Sequence, residues 1–130
     1  MSTTTTPTYT GNAAGNIRSS ASLGASGTAN YDLDYSAVFE GQVNVMSTPG
    51  ASVASTNGLR VDVYRNFGSS PTKASSPFIS YQLASVASTA ASLDLFLGPG
   101  KYNLMVTNLD GSNAITVQIT GDTIASLTTS

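Results

Sequence analysis

Residues 29–45 read ANYDLDYSAVFEGQVNV, and apolar and polar side chains alternate along this stretch. The odd positions form the apolar set, and the even positions form the polar set. Because successive side chains of a β-strand point to opposite faces, a period of two predicts a strand with one buried and one solvated face. One straight strand of this length would span about 55 Å, too long for a domain of ordinary size. The stretch is therefore expected to bend at Gly41 or to fold back through a loop that keeps the phase.

Further alternating segments follow, separated by turns rich in Pro and Gly, and none shows a helical period. Strands are predicted at about 59–67, 78–83, 91–97, 101–107 and 114–120. The last two are expected to pair as a hairpin, because Asp110-Gly111 between them is a frequent turn sequence. Together these signals predict an all-β protein. Its expected architecture is an antiparallel β-sandwich, immunoglobulin-like or jelly-roll, with an extended N-terminal arm.

Large aliphatic side chains are scarce at the start of the chain, where Thr, Ser, Gly, Ala and Asn dominate. Such a segment buries too little apolar area to offset its ordering entropy by itself. Residues 1–27 are therefore interpreted as a flexible arm, 28–124 as the sandwich and 125–130 as a flexible tail. A sharper alternative is an arm that becomes ordered against a neighbouring molecule, with Tyr9, Ile17 and Leu23 as its anchors.

The composition excludes several classes of function. The 130 residues include 5 basic and 7 acidic side chains, no His and no Cys, whereas 20 are Ser and 17 are Thr. Catalysis by Ser-His-Asp or Cys-His groups, the usual zinc sites and disulfides are thereby ruled out. A net charge of −2 argues against nucleic-acid binding. No window reaches the length of a membrane span and no secretory signal is seen, so we expect a soluble protein made in the cytoplasm.

Two groups of polar residues resemble reactive or metal-binding sites. Asp32 and Asp34 share a strand face, as a catalytic pair would, but the solvated face of a strand is the favoured interpretation. The second group has oxygen ligands spaced as in part of a calcium loop, although the acidic residue that closes an EF-hand is missing. A turn explains its members equally well: Asn108, Asp110, Ser112 and Asn113. We therefore predict no enzyme activity, no cofactor and no metal.

Tyr64 and Phe96 lie opposite the main apolar sets of their strands. On an outer face such rings could stack on sugars or bind a protein partner, because an aromatic side chain offers a large apolar surface. Packing beneath a loop or against the second sheet is the alternative.

Three segments carry a resemblance to a known class of protein: LRVDVYR at 59–65, LGPGKY at 97–102 and VTNLD at 106–110. With the Thr-rich leading arm and the absence of cysteine, the chain resembles small structural proteins of tailed bacteriophages, of the capsid decoration (cement) type. The resemblance implies a non-enzymatic virion protein on the outer surface of the phage head. Its partners would be the major capsid protein and further copies of itself, as a homo-oligomer on the particle, and the resemblance assigns no residue a role.

A second hypothesis uses the same sandwich differently. A carbohydrate-binding or host-adhesion module, for instance in a tail or head fibre, would use Tyr64 or Phe96 to hold a glycan.

Overall fold

The computed structural model describes residues 5–10, 16–50, 58–66 and 73–129, and the side chains of 16–50, 58–66 and 73–124. Within these residues the secondary structure consists of β-strands, and no helix is long and apolar enough to cross a membrane. The strands are β1 (Thr5–Thr10), β2 (Asn16–Leu23), β3 (Thr28–Asp34), β4 (Glu40–Pro49), β5 (Leu59–Arg65), β6 (Ile79–Leu83), β7 (Ala91–Leu97), β8 (Lys101–Asn108) and β9 (Ile115–Thr129).

Two antiparallel sheets form a sandwich. In the first sheet β9 is central: β4 pairs along one of its edges and is followed by β7, while β1 and β2 pair with successive parts of the other edge. The second sheet has the order β3-β8-β5-β6. Between β2 and β9 the pairing is therefore nested: β2 pairs with β9, β3 with β8, β4 with β7, and β5 with β6. That order is a jelly roll, which confirms the predicted sandwich in one of its two forms.

The alternating stretch 29–45 divides between the two sheets. Strand β3 lies in the second sheet and β4 in the first, and residues 35–39 carry the chain across. Leu33 and Val43 are both buried because the inward-facing phase is the same in the two facing sheets. The expectation of a loop that keeps the phase is thus confirmed, and Gly41 is not a bend. Gly41 has another role, since the Tyr35 ring occupies the space that a Cβ there would need.

The prediction that β8 and β9 pair as a hairpin is wrong. Strand β8 pairs with β3 and β5, whereas β9 pairs with β1, β2 and β4, so the intervening loop joins two different sheets. Buried Asn108 holds this loop: its side-chain amide donates to the carbonyl oxygens of Leu23, Gly24 and Asn113. The Asp110-Gly111 turn needs no positive φ, as the described residues with positive φ lie elsewhere.

The core lies between the sheets and is made of aliphatic side chains with two tyrosines. Strand β2, in the range interpreted as the arm, pairs with β9 and places Leu23 in this core. Residues 125–129, in the range interpreted as the tail, continue β9 alongside β1. The least exposed large side chains are Leu59, Leu97, Leu104, Ile115, Ile119, Val43, Val45, Val61, Val63, Val106 and Val117.

Candidate functional site

An open cleft of ≈ 460 Å³ lies on the outer face of the first sheet, where it crosses β9, β4 and β7. The strand register arranges its polar and aromatic side chains in two rows that run across the strands. These rows are Asp122–Gln42–Phe96 and Thr120–Asn44–Asp94. Neighbours within a row are about 4.8 Å apart, and the rows are separated by about 7 Å along the strands.

Phe96 is the most exposed aromatic residue of the described chain, at 63%. Its neighbours Leu95 and Leu97 point into the core, so the alternation of β7 forces the ring outwards. Within the described part of the chain, β7 is the last strand of the first sheet, so no further strand pairs along its outer side. The cleft therefore presents one apolar surface at its edge.

The other groups of the cleft are carboxylates, amides and a hydroxyl. The Asn44 side-chain amide donates to the Asp94 carboxylate over 2.8 Å, and the Gln42 amide approaches Glu40 at 3.4 Å. Asp122 accepts from the backbone N–H of Thr123. These contacts hold the planar groups in place while each keeps further capacity to donate or accept hydrogen bonds.

Tyr64, the other predicted surface aromatic, lies on the opposite side of the molecule. It points outwards from β5 in the second sheet, yet it is only 9% exposed. The Lys73 ammonium group lies 4.3 Å from the centre of its ring, a cation–π contact. The structure therefore does not bring Tyr64 and Phe96 together, and for Tyr64 it shows the alternative of packing beneath a covering segment.

The anchors proposed for the arm have different positions. Leu23 is a core residue and Ile17 packs against the core, so both side chains contact their own chain. Tyr9 lies in β1, where its Cα pairs with that of Ile124, and its side chain lies outside the described residues. Leu23 is buried and Ile17 is half-buried within this chain, and contact of the arm with a partner stays a prediction.

Asp32 and Asp34 share a face, as expected, but their surroundings are those of solvated carboxylates. Asp32 accepts hydrogen bonds from the side-chain amides of Asn103 and Asn66. The hydroxyl and the backbone N–H of Ser36 donate to Asp34 and lower the pKa of this exposed carboxyl group. A general acid requires a raised pKa, so the lowered pKa of Asp34 argues against that role.

The predicted calcium-like loop is a turn closed by its own hydrogen bonds. The Asp110 carboxylate accepts from the backbone N–H groups of Ser112 and Asn113. The Asn108 side-chain oxygen accepts from the N–H of Asp110. Across the described residues there is also no group of three or more acidic side chains arranged to hold a metal ion.

Sequence reasoning identified Phe96 but missed the polar residues around it. Gln42 and Asn44 belong to the even, polar set of the alternating stretch, which was interpreted as a solvated face. Asp94 has the same phase as Phe96 on β7. A search for polar residues that share a face with an exposed ring would have found Asp94, but only the pairing of β4 with β7 and β9 adds the others.

No protein-family model matches this chain, and no curated protein does either. Among solved structures, the pre-peptidase C-terminal domain of a collagenase from Bacillus anthracis is similar at a TM-score of 0.47 and 12% identity, over 81% of this chain and 89% of that one. A carbohydrate-binding module, CBM36, in complex with calcium and xylotriose is similar at a TM-score of 0.43 and 15% identity, over 100% of both chains. A family 16 carbohydrate-binding module is similar at a TM-score of 0.42 and 12% identity, over 84% of this chain and 74% of that one. At these values the likenesses say nothing about what this chain binds.

Proposed function

We propose that this protein binds carbohydrate in the cleft on the outer face of the first sheet. The observation that carries the proposal is the exposed Phe96 ring beside two rows of carboxylate, amide and hydroxyl groups.

The chemistry of the cleft suits a sugar. A pyranose ring has C–H faces that pack on an aromatic surface, and hydroxyl groups around its rim that both donate and accept hydrogen bonds. Phe96 supplies the surface. Asn44 and Gln42 offer donors and acceptors, and Asp94 and Asp122 offer strong acceptors, all on rigid strands.

A protein partner is a poorer match for this cleft. The central part of a protein interface is depleted of Asp and Glu and enriched in several large apolar side chains. Here one exposed ring is surrounded by polar groups, and Val43 and Leu95, which also line the cleft, point into the core. A small, hydroxyl-rich ligand therefore fits better than an apolar protein surface.

We further propose that the protein binds its ligand without transforming it. The paired carboxylates Asp32 and Asp34 lie on the other sheet, where Asp32 accepts a hydrogen bond from the Asn103 amide and hydrogen bonds from Ser36 lower the pKa of Asp34. The cleft carboxylates Asp94 and Asp122 lie on opposite sides of β4, in different rows of the cleft, and so do not form a close pair.

The test is a glycan array followed by calorimetric titration of the best ligand with Phe96→Ala. Loss of the ring should weaken binding at least tenfold, because the apolar contact is removed while the polar rows remain. Tyr81→Ala is the matched control, since Tyr81 is 53% exposed on β6 of the other sheet. An array without any bound glycan, or equal binding by wild type and Phe96→Ala, contradicts the proposal.

The resemblance to capsid decoration proteins stays a prediction. It is compatible with glycan binding, since a head or tail fibre component could hold a host glycan in the same cleft. Co-sedimentation of the purified protein with phage heads that lack it would support a virion role. The absence of any binding to such particles would count against it.

A further inference from the structure

Acidic side chains lie in the cleft, whereas the basic side chains of the molecule lie away from it. Strands β4, β7 and β9 contain three acidic residues, Glu40, Asp94 and Asp122, and no Lys or Arg. Asp94 and Asp122 line the cleft, and Glu40 continues the same face one row beyond Gln42, whose amide it contacts.

The basic residues are all directed elsewhere. Arg60 and Arg65 lie on β5 and Lys101 on β8, all in the second sheet, and Lys73 packs on Tyr64 there. The guanidinium group of Arg18, on β2, is bound by the carbonyl oxygens of Val117 and Ser22 and by the Tyr31 hydroxyl. Among the described residues, therefore, no Lys or Arg side chain lies in the cleft to neutralise its carboxylates.

We infer that the cleft selects amino sugars with a free, protonated amine and discriminates against uronic acids and sulfated sugars. This inference rests on the proposed function and names the charge class of its ligand. Asp94 and Asp122 lie on opposite sides of β4, beside Asn44 and Gln42 respectively, so an ammonium group above β4 midway between the two rows lies ~6 Å from each of them. An anionic sugar in the same place would be repelled by both.

The expected preference is modest because the cleft is open to solvent. An exposed pair of opposite charges contributes little, and two such contacts correspond to roughly a fivefold gain in affinity. This gain should depend on ionic strength, since the Debye length falls from about 30 Å at 0.01 M salt to about 3 Å at 1 M.

The experiment compares three tetrasaccharides by calorimetry: a glucosamine oligomer, its N-acetylated counterpart and a galacturonic acid oligomer. At about 0.01 M salt we expect the glucosamine oligomer to bind roughly fivefold more tightly than the N-acetylated one, and the galacturonic acid oligomer to bind most weakly. At about 1 M salt the preference should disappear.

Variants separate charge from shape. The double variant Asp94→Asn, Asp122→Asn keeps the size and one oxygen of each group, so it should abolish the preference for the free amine without unfolding the protein. Asp34→Asn, at an exposed position on the second sheet, is the matched control and should leave the preference for the free amine unchanged.

Three outcomes have distinct meanings. Equal affinity for the two glucosamine-based oligomers at low salt, or tight binding of the galacturonic acid oligomer, overturns the inference while the proposed function stands. A preference for the free amine that survives the double variant also overturns it. If no glycan of the array and none of the three oligomers binds, the proposed function fails as well.

Discussion

On the first sheet Phe96 is 63% exposed beside an open row of amides and carboxylates, whereas on the second sheet Tyr64 is 9% exposed beneath Lys73. Both rings point away from the core. The polar residues differ in the same way, since Asp62 on the second sheet is buried between the side chains of Arg60 and Ser80. Two outer faces built from the same alternation have thus become different surfaces. The second face buries Tyr64 and Asp62 against neighbouring side chains, whereas the first leaves the ring and the polar groups of the cleft accessible to a ligand.

The largest effect that tests this contrast is on stability. We expect Tyr64→Ala to lower the free energy of unfolding by about 3 kcal/mol, because a buried ring and its contact with Lys73 are lost. Phe96→Ala should lower it by less than about 0.5 kcal/mol, since the exposed ring has little burial to lose. Urea unfolding of both variants measures the difference. Equal urea midpoints of the two variants would contradict the description of Tyr64 as buried and Phe96 as exposed.

A smaller effect is expected at the asparagines in equivalent places on the two faces. Asn44 lies on β4 between β9 and β7, and Asn103 lies on β8 between β3 and β5. Asn44→Ala should weaken binding of the array-selected glycan roughly fivefold, since one hydrogen-bonding group of the cleft is lost.

Asn103→Ala is the counterpart and should leave glycan binding unchanged. It should instead lower stability by about 1 kcal/mol, because its hydrogen bond to Asp32 is removed from a nearly buried site. Calorimetric titration and urea unfolding of both variants give the comparison. Weaker glycan binding by Asn103→Ala would indicate that the ligand binds on the second sheet and would contradict the proposed site.

The smallest effect concerns a single exposed carboxyl group of the second sheet. Hydrogen bonds from Ser36 lower the pKa of Asp34 below its ordinary value of 3.8. Because the pKa is lower in the folded state, this group's contribution to stability is present above 3.8 and is lost as the pH falls through the folded-state pKa.

Ser36→Ala removes the largest cause of that shift, so we expect the pKa of Asp34 to rise towards 3.8. The acid-side dependence of stability on pH should become correspondingly flatter. An NMR titration of the side-chain carboxyl carbon measures the change, and Ser92→Ala, on β7 of the other sheet, is the control. An unaltered titration curve would show that Ser36 does not hold this carboxylate.

The alternating stretch and the turn after β8 show which parts of the fold the sequence predicts. The period of two from Ala29 to Val45 predicted which side chains are buried, and Leu33, Val43 and Val45 are. For Phe39 the prediction is wrong, since this ring lies in the crossing between the sheets, where strand alternation is interrupted, and is 49% exposed. It also required either a bend at Gly41 or a loop that keeps the phase, and residues 35–39 supply the loop. The hairpin prediction failed because Asp110-Gly111 is as compatible with a loop between sheets as with a tight turn. The hydrogen bonds of Asn108 to distant carbonyl groups distinguish the two, and local sequence does not contain them.

The candidate site illustrates the same limit. Phe96 and Tyr64 are equivalent in sequence, as each is an aromatic residue at the polar phase of an alternating strand. Lys73 covers one of them, and nothing in the local pattern distinguishes the covered ring from the exposed one.

The sequence by itself determined the all-β class, the inward and outward sets of the strands and the lack of nucleophile–histidine chemistry. Only the tertiary structure decided which strands are neighbours. It places Gln42 and Asn44 of β4 in the middle of the cleft, with β9 on one side and β7 on the other. The physical reason is that alternation is a local property of each strand, whereas a binding surface arises from register between strands far apart in the chain.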